Sequence, residues 1–208
     1  MRNTTFLFIC FMSFLGVFAQ SPLDKQEALA FKQAVVKTAN TTKTIVSDFV
    51  QYKHLNFLNN DIKTVGKLAF KSPNLIKWEY TEPYKYTAIF NENKLFVNDG
   101  GDKSNIDVGS SKMFKNFNNL IINSVKGNMF NDEEFVINYY RVDDFYMVRF
   151  IPKKENMLSF IASFELTFDK KTADVVKVKM IEPSDDYTLI VFKNKKRNTT
   201  VLNEVFHH

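Results

Sequence analysis

The sequence predicts a mainly β protein of the α+β class, built as one strongly bent antiparallel sheet with two helices. Two observations favour this class. Short segments in which apolar and polar residues alternate recur along most of the chain, as in strands with one buried face. Two longer segments, over residues 21–38 and 109–126, instead place apolar residues at the helical spacing of three and four. No linker or repeat interrupts residues 20–208, so we expect a single domain there.

The first 19 residues have the pattern of a secretory signal peptide. Arg2 supplies a positive charge, residues 6–17 are almost wholly apolar, and cleavage is expected before Gln20 because Val17 and Ala19 are small enough for signal peptidase. A membrane anchor is the alternative, but the apolar run is short for a span. The sequence therefore predicts an exported protein.

The composition suits a domain that is held together by a large apolar core. The only cysteine, Cys10, follows too short an apolar segment for a lipid-modified cysteine, and the mature chain is expected to contain none. Of 22 phenylalanines, five precede Gln20, and eight tyrosines and one tryptophan accompany the rest. This large apolar surface is either core or the lining of a cavity. The net charge of +5 is modest, and the charges are scattered among apolar positions, which is typical of a solvated surface.

The mature chain is expected to begin with a helix over Ser21–Thr38. Ser21 is predicted to cap it, Pro22 suits the first turn, and the acids Asp24 and Glu27 suit the positive end of a helix. The polar run that follows Thr38 is expected to end the helix, and a strand is predicted next, over residues 44–58.

The segment Gly66–Pro83 is the most informative part of the strand pattern. It predicts two strands that meet at a corner at Pro73, because proline cannot donate to a sheet ladder, and Pro83 ends the second strand for the same reason. Alternation places five apolar residues on one face: Leu68, Phe70, Ile76, Trp78 and Tyr80. This face is either ordinary core or the wall of a lipid-holding cavity.

The other strands are predicted at residues 62–70, 84–90, 95–97, 134–141, 145–151, 158–168, 175–181, 187–192 and 198–206. Residues 158–168 are expected to present one face that consists of Phe160, Ala162, Phe164, Leu166 and Phe168. In residues 175–181 the inward side chains are predicted to be Val176, Val178 and Met180. The basic run Lys193–Arg197 is predicted to be a hairpin turn, and the alternative is a patch for anionic lipid headgroups or an acidic partner.

Residues 109–126 predict a second helix with an apolar stripe formed by Met113, Phe114, Phe117, Leu120 and Ile121. Such a stripe packs against another apolar surface. The helix is either permanently docked or a movable lid, and the sequence does not distinguish the two.

Little in the sequence points to an enzyme. His54 stands alone in a predicted strand, and the remaining histidines are the terminal His207 and His208. The motifs of nucleophilic, metal-dependent and phosphate-binding sites are missing, and the acidic pairs fall at predicted turns. We therefore expect no catalytic residue, no metal ligand and no cofactor. Nucleic-acid binding is not expected of an exported chain without a recognisable motif.

One run of residues follows the pattern of a known family. An aromatic and a glutamine in the first strand precede a Gly-x-Leu strand, a Pro-Asn-Leu corner, a tryptophan and a closing proline. In this chain these residues are Phe49, Gln51, Gly66, Leu68, Phe70, Lys71, Pro73, Asn74, Leu75, Trp78 and Pro83. With the exported start and the length, this pattern resembles LolA, the bacterial lipoprotein carrier family, and the likeness is specific over residues 49–100.

The resemblance implies a half-open antiparallel barrel of about eleven strands, covered by helices. Family members take acylated lipoproteins from an inner-membrane ABC transporter, shield the acyl chains in a hydrophobic cavity and pass them to an acceptor at the outer membrane or to that membrane itself. By this resemblance we expect a monomeric periplasmic chaperone with residues 109–126 as its lid. The expected cavity residues are Phe49, Leu68, Phe70, Ile76, Trp78, Tyr80, Tyr86, Phe90, Phe164 and Leu166.

The chain departs from the family pattern at the position before the Pro-Asn-Leu corner. The well-studied family members carry an arginine there, which bonds to the lid and helps to release cargo, whereas this chain has Ser72. Either another residue closes the lid or apolar packing alone closes it. The alternative function is that of a carrier or sensor for another lipid, such as a glycolipid or an acylated pigment, on the same fold.

Overall fold

The computed structural model describes residues 20–91, 94–107 and 129–207. Its strands are β1 (Ser21–Pro22), β2 (Thr44–His54), β3 (Ile62–Lys71), β4 (Leu75–Glu82), β5 (Tyr86–Asn91), β6 (Lys94–Asp99), β7 (Asp102–Asp107), β8 (Phe135–Val142), β9 (Phe145–Pro152), β10 (Ser163–Asp169), β11 (Val175–Ile181) and β12 (Tyr187–Arg197). Its helices are α1 (Lys25–Thr41), α2 (Glu155–Leu158) and a C-terminal 3-10 helix (Asn203–Phe206).

All the described strands belong to one curved, unclosed antiparallel sheet with the order β1-β8-β9-β10-β11-β12-β2-β3-β4-β5-β6-β7. The predicted mainly β, half-open architecture is therefore confirmed. The described residues contain twelve strands. The sequence pattern did not reveal β1 and β7, and the predicted strand over residues 198–206 does not form. Helix α1 packs on one side of this sheet, which we call the inner face, and we call the other side the outer face.

Helix α1 begins four residues later than predicted. The carboxylate of Asp24, and not Ser21, caps it, since Asp24 Oδ1 accepts from the Glu27 N–H at 2.8 Å. Ser21 and Pro22 instead pair with Arg141 and Tyr140 as an edge strand, where the missing N–H of a proline is tolerated. The predicted cap was wrong because the sequence offers two suitable caps, and a distant strand takes up the first.

Replacing the cap residue gives a direct test of this helix start. Asp24→Ala is expected to lower the free energy of unfolding by about 1 kcal/mol, because the Glu27 N–H loses its acceptor. Urea denaturation measures the change. Asp24→Asn, which keeps an acceptor, is expected to retain most of the stability, whereas Ser21→Ala should have little effect. A larger loss for Ser21→Ala than for Asp24→Ala would contradict this assignment.

The predicted turn at Lys193–Arg197 is wrong, since β12 continues through this basic run beside β2. Lys193 pairs with Asp48 and Arg197 pairs with Ile45, but the register shifts between Lys193 and Lys196. Asn194, at a φ of +52°, absorbs the extra residue, because asparagine tolerates the left-handed region better than most side chains. The polar run therefore marks a bulge within a strand and not its end.

Residues 198–206 do not form the predicted last strand. Asn198 accepts from the Lys43 N–H at 2.7 Å and donates to the Thr41 carbonyl at 3.0 Å, which turns the chain past the end of α1. The segment then crosses the outer face, where Val201 and Phe206 pack on Ile89 of β5. The chain end therefore covers apolar residues on the outer face.

The segment predicted as a strand over residues 158–168 begins only at Ser163 as a strand. Helix α2 precedes it, and Phe160 is 60% exposed, outside the sheet. Phe164, Leu166 and Phe168 are buried as predicted. In β11 the register also shifts, so that Val175 instead of Val176 packs against the core.

The rest of the strand pattern closely follows the alternation in the sequence, and β11 coincides with its predicted range. The corner at Pro73 separates β3 from β4, and the pair Asp143-Asp144 forms the turn between β8 and β9. Within the described ranges no helix has the length and apolar character that a membrane span requires.

Candidate functional site

The strands β2 to β6 carry a continuous apolar surface on the inner face. Residues directly opposite each other in antiparallel strands share a face, and the register sets Leu68 opposite Trp78, and Trp78 opposite Ala88. Of the cavity residues predicted from the sequence, six are buried in this cluster: Phe49, Leu68, Phe70, Ile76, Trp78 and Phe90. Two more, Tyr80 and Tyr86, are partly buried and pack against it.

A close backbone approach at Gly66 organises the centre of this surface. Gly66 lies opposite Phe49, and the Phe49 ring occupies the space that a side chain at position 66 would fill. The ring makes edge-to-face contacts with Trp78, at a centroid distance of 4.8 Å, and with Tyr80, at 5.3 Å. The glycine therefore lets three aromatic rings pack together on one face.

The other two predicted cavity residues, Phe164 and Leu166, lie in a second cluster on strands β8 to β10. Helix α1 covers this cluster with Phe31 and Val35. Val178 of β11 packs against both clusters, so the apolar surface extends across the inner face. The ten predicted residues thus share one face of the sheet, in two clusters.

Tyr80 adds a polar group to this surface. Its hydroxyl donates to Gln51 Oε1 at 3.1 Å, and Tyr84 and Tyr86 lie beside its ring. Burial is the main cause that raises the pKa of Tyr80 to about 12, so the hydroxyl is neutral at physiological pH. The residue contributes a hydrogen-bonding group without adding charge to the face.

A cavity of about 80 Å³ lies between the C-terminal half of α1 and the sheet. Leu68 and Trp78 are the predicted residues that line it. The sequence reasoning did not assign the other apolar lining to a site: Val35, Ala39, Ile45, Val175, Val178 and Phe192. Alternation predicted an inward side chain for Val178, but it does not reveal which inward residues border a space.

Three charged side chains complete the cavity wall: Lys195, Arg197 and Asp174. The sequence suggested the first two only through the alternative interpretation of the basic run as an anion-binding patch, and it gave no sign of Asp174. Asp174 Oδ1 lies 3.4 Å from Arg197 Nε and 3.8 Å from Lys195 Nζ. Burial lowers the pKa of Lys195 to about 8, against the opposing effect of Asp174. We refer to Lys195, Arg197 and Asp174 as the charged cluster.

The register shift in β12 brings the two cations to the inner face. Phe192 lies opposite Phe49 on that face, so unbroken alternation would place Lys195 and Arg197 on the outer face and Lys196 on the inner one. The shift reverses this order, since Lys196 pairs with Val46, Arg197 pairs with Ile45, and Lys195 and Arg197 line the cavity. The bulge therefore places two positively charged side chains in the cavity wall.

Ser72, the position predicted to matter for release, is exposed in the turn between β3 and β4. Its N–H donates to the Lys43 carbonyl at 2.8 Å, which ties the turn to the start of β2. The predicted lid residues, Met113 to Ile121, lie outside the described residues. A contact between Ser72 and a lid therefore stays a prediction.

The groups that could suggest catalysis have structural partners. His54 Nδ1 lies 2.8 Å from Asp61 Oδ1, and the ring stacks on Tyr187 at 4.7 Å, away from the cavity. Among the residues that the structure describes, no group of three histidine, cysteine or acidic side chains could hold a metal ion.

Comparison with known sequences finds one family. The model of the family described as outer membrane lipoprotein carrier protein LolA matches residues 40–208. The match covers α1 from its last turn, the whole sheet from β2 onwards and the charged cluster. No curated protein matches the chain significantly.

Solved structures share the fold at low sequence identity. An uncharacterized conserved protein from Thermus thermophilus superposes with a TM-score of 0.53 at 9% identity, over 87% of this chain and 93% of that one. The lipoprotein LppX of Mycobacterium tuberculosis gives 0.50 at 9%, over 86% and 99%. A chain of the MucA/MucB complex of Pseudomonas aeruginosa gives 0.51 at 9%, over 88% of this chain and 61% of that one. At these identities the likeness concerns the fold alone.

Proposed function

Because the chain belongs to the LolA family of outer membrane lipoprotein carrier proteins, we propose that it is a periplasmic chaperone for lipoproteins. It binds their acyl chains on its inner face and carries them from an inner-membrane ABC transporter to an acceptor at the outer membrane, or to that membrane itself. It works as a monomer, without catalysis and without a cofactor. Family membership alone indicates an exported protein of the cell envelope that binds lipid or lipoprotein.

The observation that supports this proposal most is the extent of the apolar inner face. Two clusters of large side chains, joined through Val178, cover strands from β8 to β6 in the order of the sheet. Each methylene transferred from water to such a surface contributes about 0.8 kcal/mol, so one acyl chain supplies enough energy for binding. A surface of this kind suits the hydrocarbon part of a cargo and leaves its protein part outside.

Binding requires more room than the cavity has when α1 covers the face. Its volume of about 80 Å³ is well below the roughly 300–1,000 Å³ of typical ligand pockets. Helix α1 is held by the buried Phe31 and Val35, and by Glu27, which accepts from Arg141 and from the Tyr146 hydroxyl. We propose that the acyl chain displaces part of this packing. The displaced contacts then compete with cargo, which keeps the affinity moderate and favours release.

The first test is mass spectrometry of the molecules that copurify with the mature protein from the periplasm of its native host. Triacylated lipoproteins in stoichiometric amount are the expected result. A free glycolipid or an acylated pigment in their place would support the alternative carrier function and overturn the lipoprotein role. A protein that carries nothing, and that takes up no acylated ligand in vitro, would show that the apolar face is only core.

A further inference from the structure

We propose that the cavity beside α1 accepts an amphiphile with one acyl chain and one anionic headgroup, a carboxylate or a phosphate, which binds between Lys195 and Arg197. The acyl chain then runs along the apolar wall. This inference goes beyond the proposed cargo, because the acyl groups of a triacylated lipoprotein are held as uncharged esters and an amide. It rests on the proposed function, because the same inner face must accept the hydrocarbon.

The charged cluster has one positive charge in excess. Lys195 and Arg197 share Asp174, which is the one carboxylate that pairs with either of them within the described part of the chain. The Lys195 ammonium also donates to the Val175 carbonyl, which carries no net charge. One further anion would therefore neutralise the cluster.

This excess charge lies in a partly desolvated position. The side chains of Lys195 and Asp174 are 17% and 18% exposed, and that of Arg197 is 30% exposed. A buried charge without a full partner is costly, since water no longer solvates it. The lowered pKa of Lys195 has the same cause. An anion that reaches the cluster would replace the lost water with charge-assisted hydrogen bonds, which are the stronger class of hydrogen bond.

The rest of the cavity wall matches the other half of an amphiphile. Ile45, Leu68, Trp78, Val178 and Phe192 line the same space as the two cations. A free inorganic anion would leave this apolar surface uncovered, and a neutral hydrocarbon would leave the one excess positive charge without a counter-ion. A molecule with both parts satisfies both halves of the wall.

A purely structural role for the cations makes a different prediction. Thr38, Ala39 and Thr42, at the C-terminal end of α1, also line the cavity, and cations stabilise that end of a helix. If the cations only served the helix, their removal would lower stability and would affect charged and uncharged ligands alike. The two roles can therefore be separated by the charge of the ligand.

The experiment compares decanoate, decyl phosphate and decanol as ligands of the mature protein, residues 20–208, at neutral pH. Trp78 is the only tryptophan and lines the cavity, so its fluorescence reports binding directly. At least one of the two anions is expected to bind about tenfold more tightly than decanol, which corresponds to one charge-assisted hydrogen bond. The anion that binds more tightly identifies the headgroup as carboxylate or phosphate.

Three variants and a matched control assign the preference to the cluster. Lys195→Met and Arg197→Met are each expected to weaken anion binding about tenfold and decanol binding much less, which removes the preference. Asp174→Asn should strengthen anion binding several-fold, because the resident countercharge is lost. Lys196→Met is the control, since Lys196 is exposed on the outer face and should leave the preference intact.

The outcomes separate this inference from the proposed function. If decanol and both anions bind with equal affinity, the headgroup site is wrong, but acyl binding stands. If none of the three binds, the proposed function and the headgroup site both fail. Equal weakening of all ligands in Lys195→Met and Arg197→Met, together with no gain in Asp174→Asn, would assign the cluster a structural role only.

Discussion

Gly66→Ala is expected to lower the free energy of unfolding by about 3 kcal/mol, the upper end of the usual cost of overpacking. A Cβ atom at this position would lie 2.3 Å from the Glu79 carbonyl oxygen and 2.5 Å from Phe49 Cζ. The carbonyl belongs to the backbone of β4, so it cannot move without disturbing the β3–β4 ladder. Urea denaturation of the parent and the variant measures the change.

A second background tests whether the aromatic ring contributes to this cost. Phe49→Leu shortens the side chain that faces Gly66, so Gly66→Ala should cost less in the Phe49→Leu protein than in the parent. The residual cost reports the clash with the backbone carbonyl. If Gly66→Ala were as stable as the parent, the close approach that we describe between β2, β3 and β4 would be incorrect.

Ala39→Leu is expected to lower the affinity for acylated ligands about tenfold, with little change in the free energy of unfolding. Ala39 lines the cavity from α1, and leucine is a good helix former that adds three carbon atoms. The space measures only about 80 Å³, so the three added carbon atoms occupy a large part of it. The Trp78 fluorescence titration with decanol measures the loss.

Ala34→Leu is the matched control, because Ala34 lies on the same helix but is exposed. It makes the same chemical change without filling the cavity, and its affinity should equal that of the parent. Equal affinities for Ala39→Leu and Ala34→Leu would mean that acyl chains bind elsewhere on the protein. Weaker binding by both would instead point to a general effect on α1.

The sequence was most informative where local pattern and tertiary structure agree. Leu68, Phe70, Ile76 and Trp78 alternate with polar residues, and the corner at Pro73 cannot be part of a ladder, so β3 and β4 were predicted with the correct faces. In these strands the four apolar residues are buried and the residues between them are partly or fully exposed, which is the condition under which period-two reasoning works.

The charged cluster could not be predicted in this way, because the decisive event is a register shift. Alternation from Phe192 assigns Lys195 to the wrong face, and the bulge at Asn194 leaves only a weak trace in the sequence. The run Lys193–Arg197 also has the composition of a turn. Asp174 comes from another part of the chain. No local sequence pattern indicates that it lies near Lys195 and Arg197.

The ends of the first helix show a second limit. The Thr42 hydroxyl donates to the Thr38 carbonyl at 2.7 Å. This hydrogen bond satisfies a carbonyl group in the last turn of α1, whereas the polar sequence had predicted the helix to end at Thr38. β1 depends on pairing with β8, which is more than a hundred residues away in the chain. Local propensities determine neither the end of α1 nor the pairing of β1 with β8.

Under the carrier function that we propose, the unclosed sheet has a consequence for the range of cargoes. In a closed barrel the number of strands and their stagger determine the bore. Here β1 and β7 end the sheet, and no described strand joins them, so the width of the trough is not determined by a ring of hydrogen bonds. The two edge strands can move apart without breaking the hydrogen bonds between any pair of neighbouring strands. One protein could thereby bind lipids with different numbers of acyl chains. Its selectivity would depend on the fit at the cavity instead of on a fixed barrel diameter.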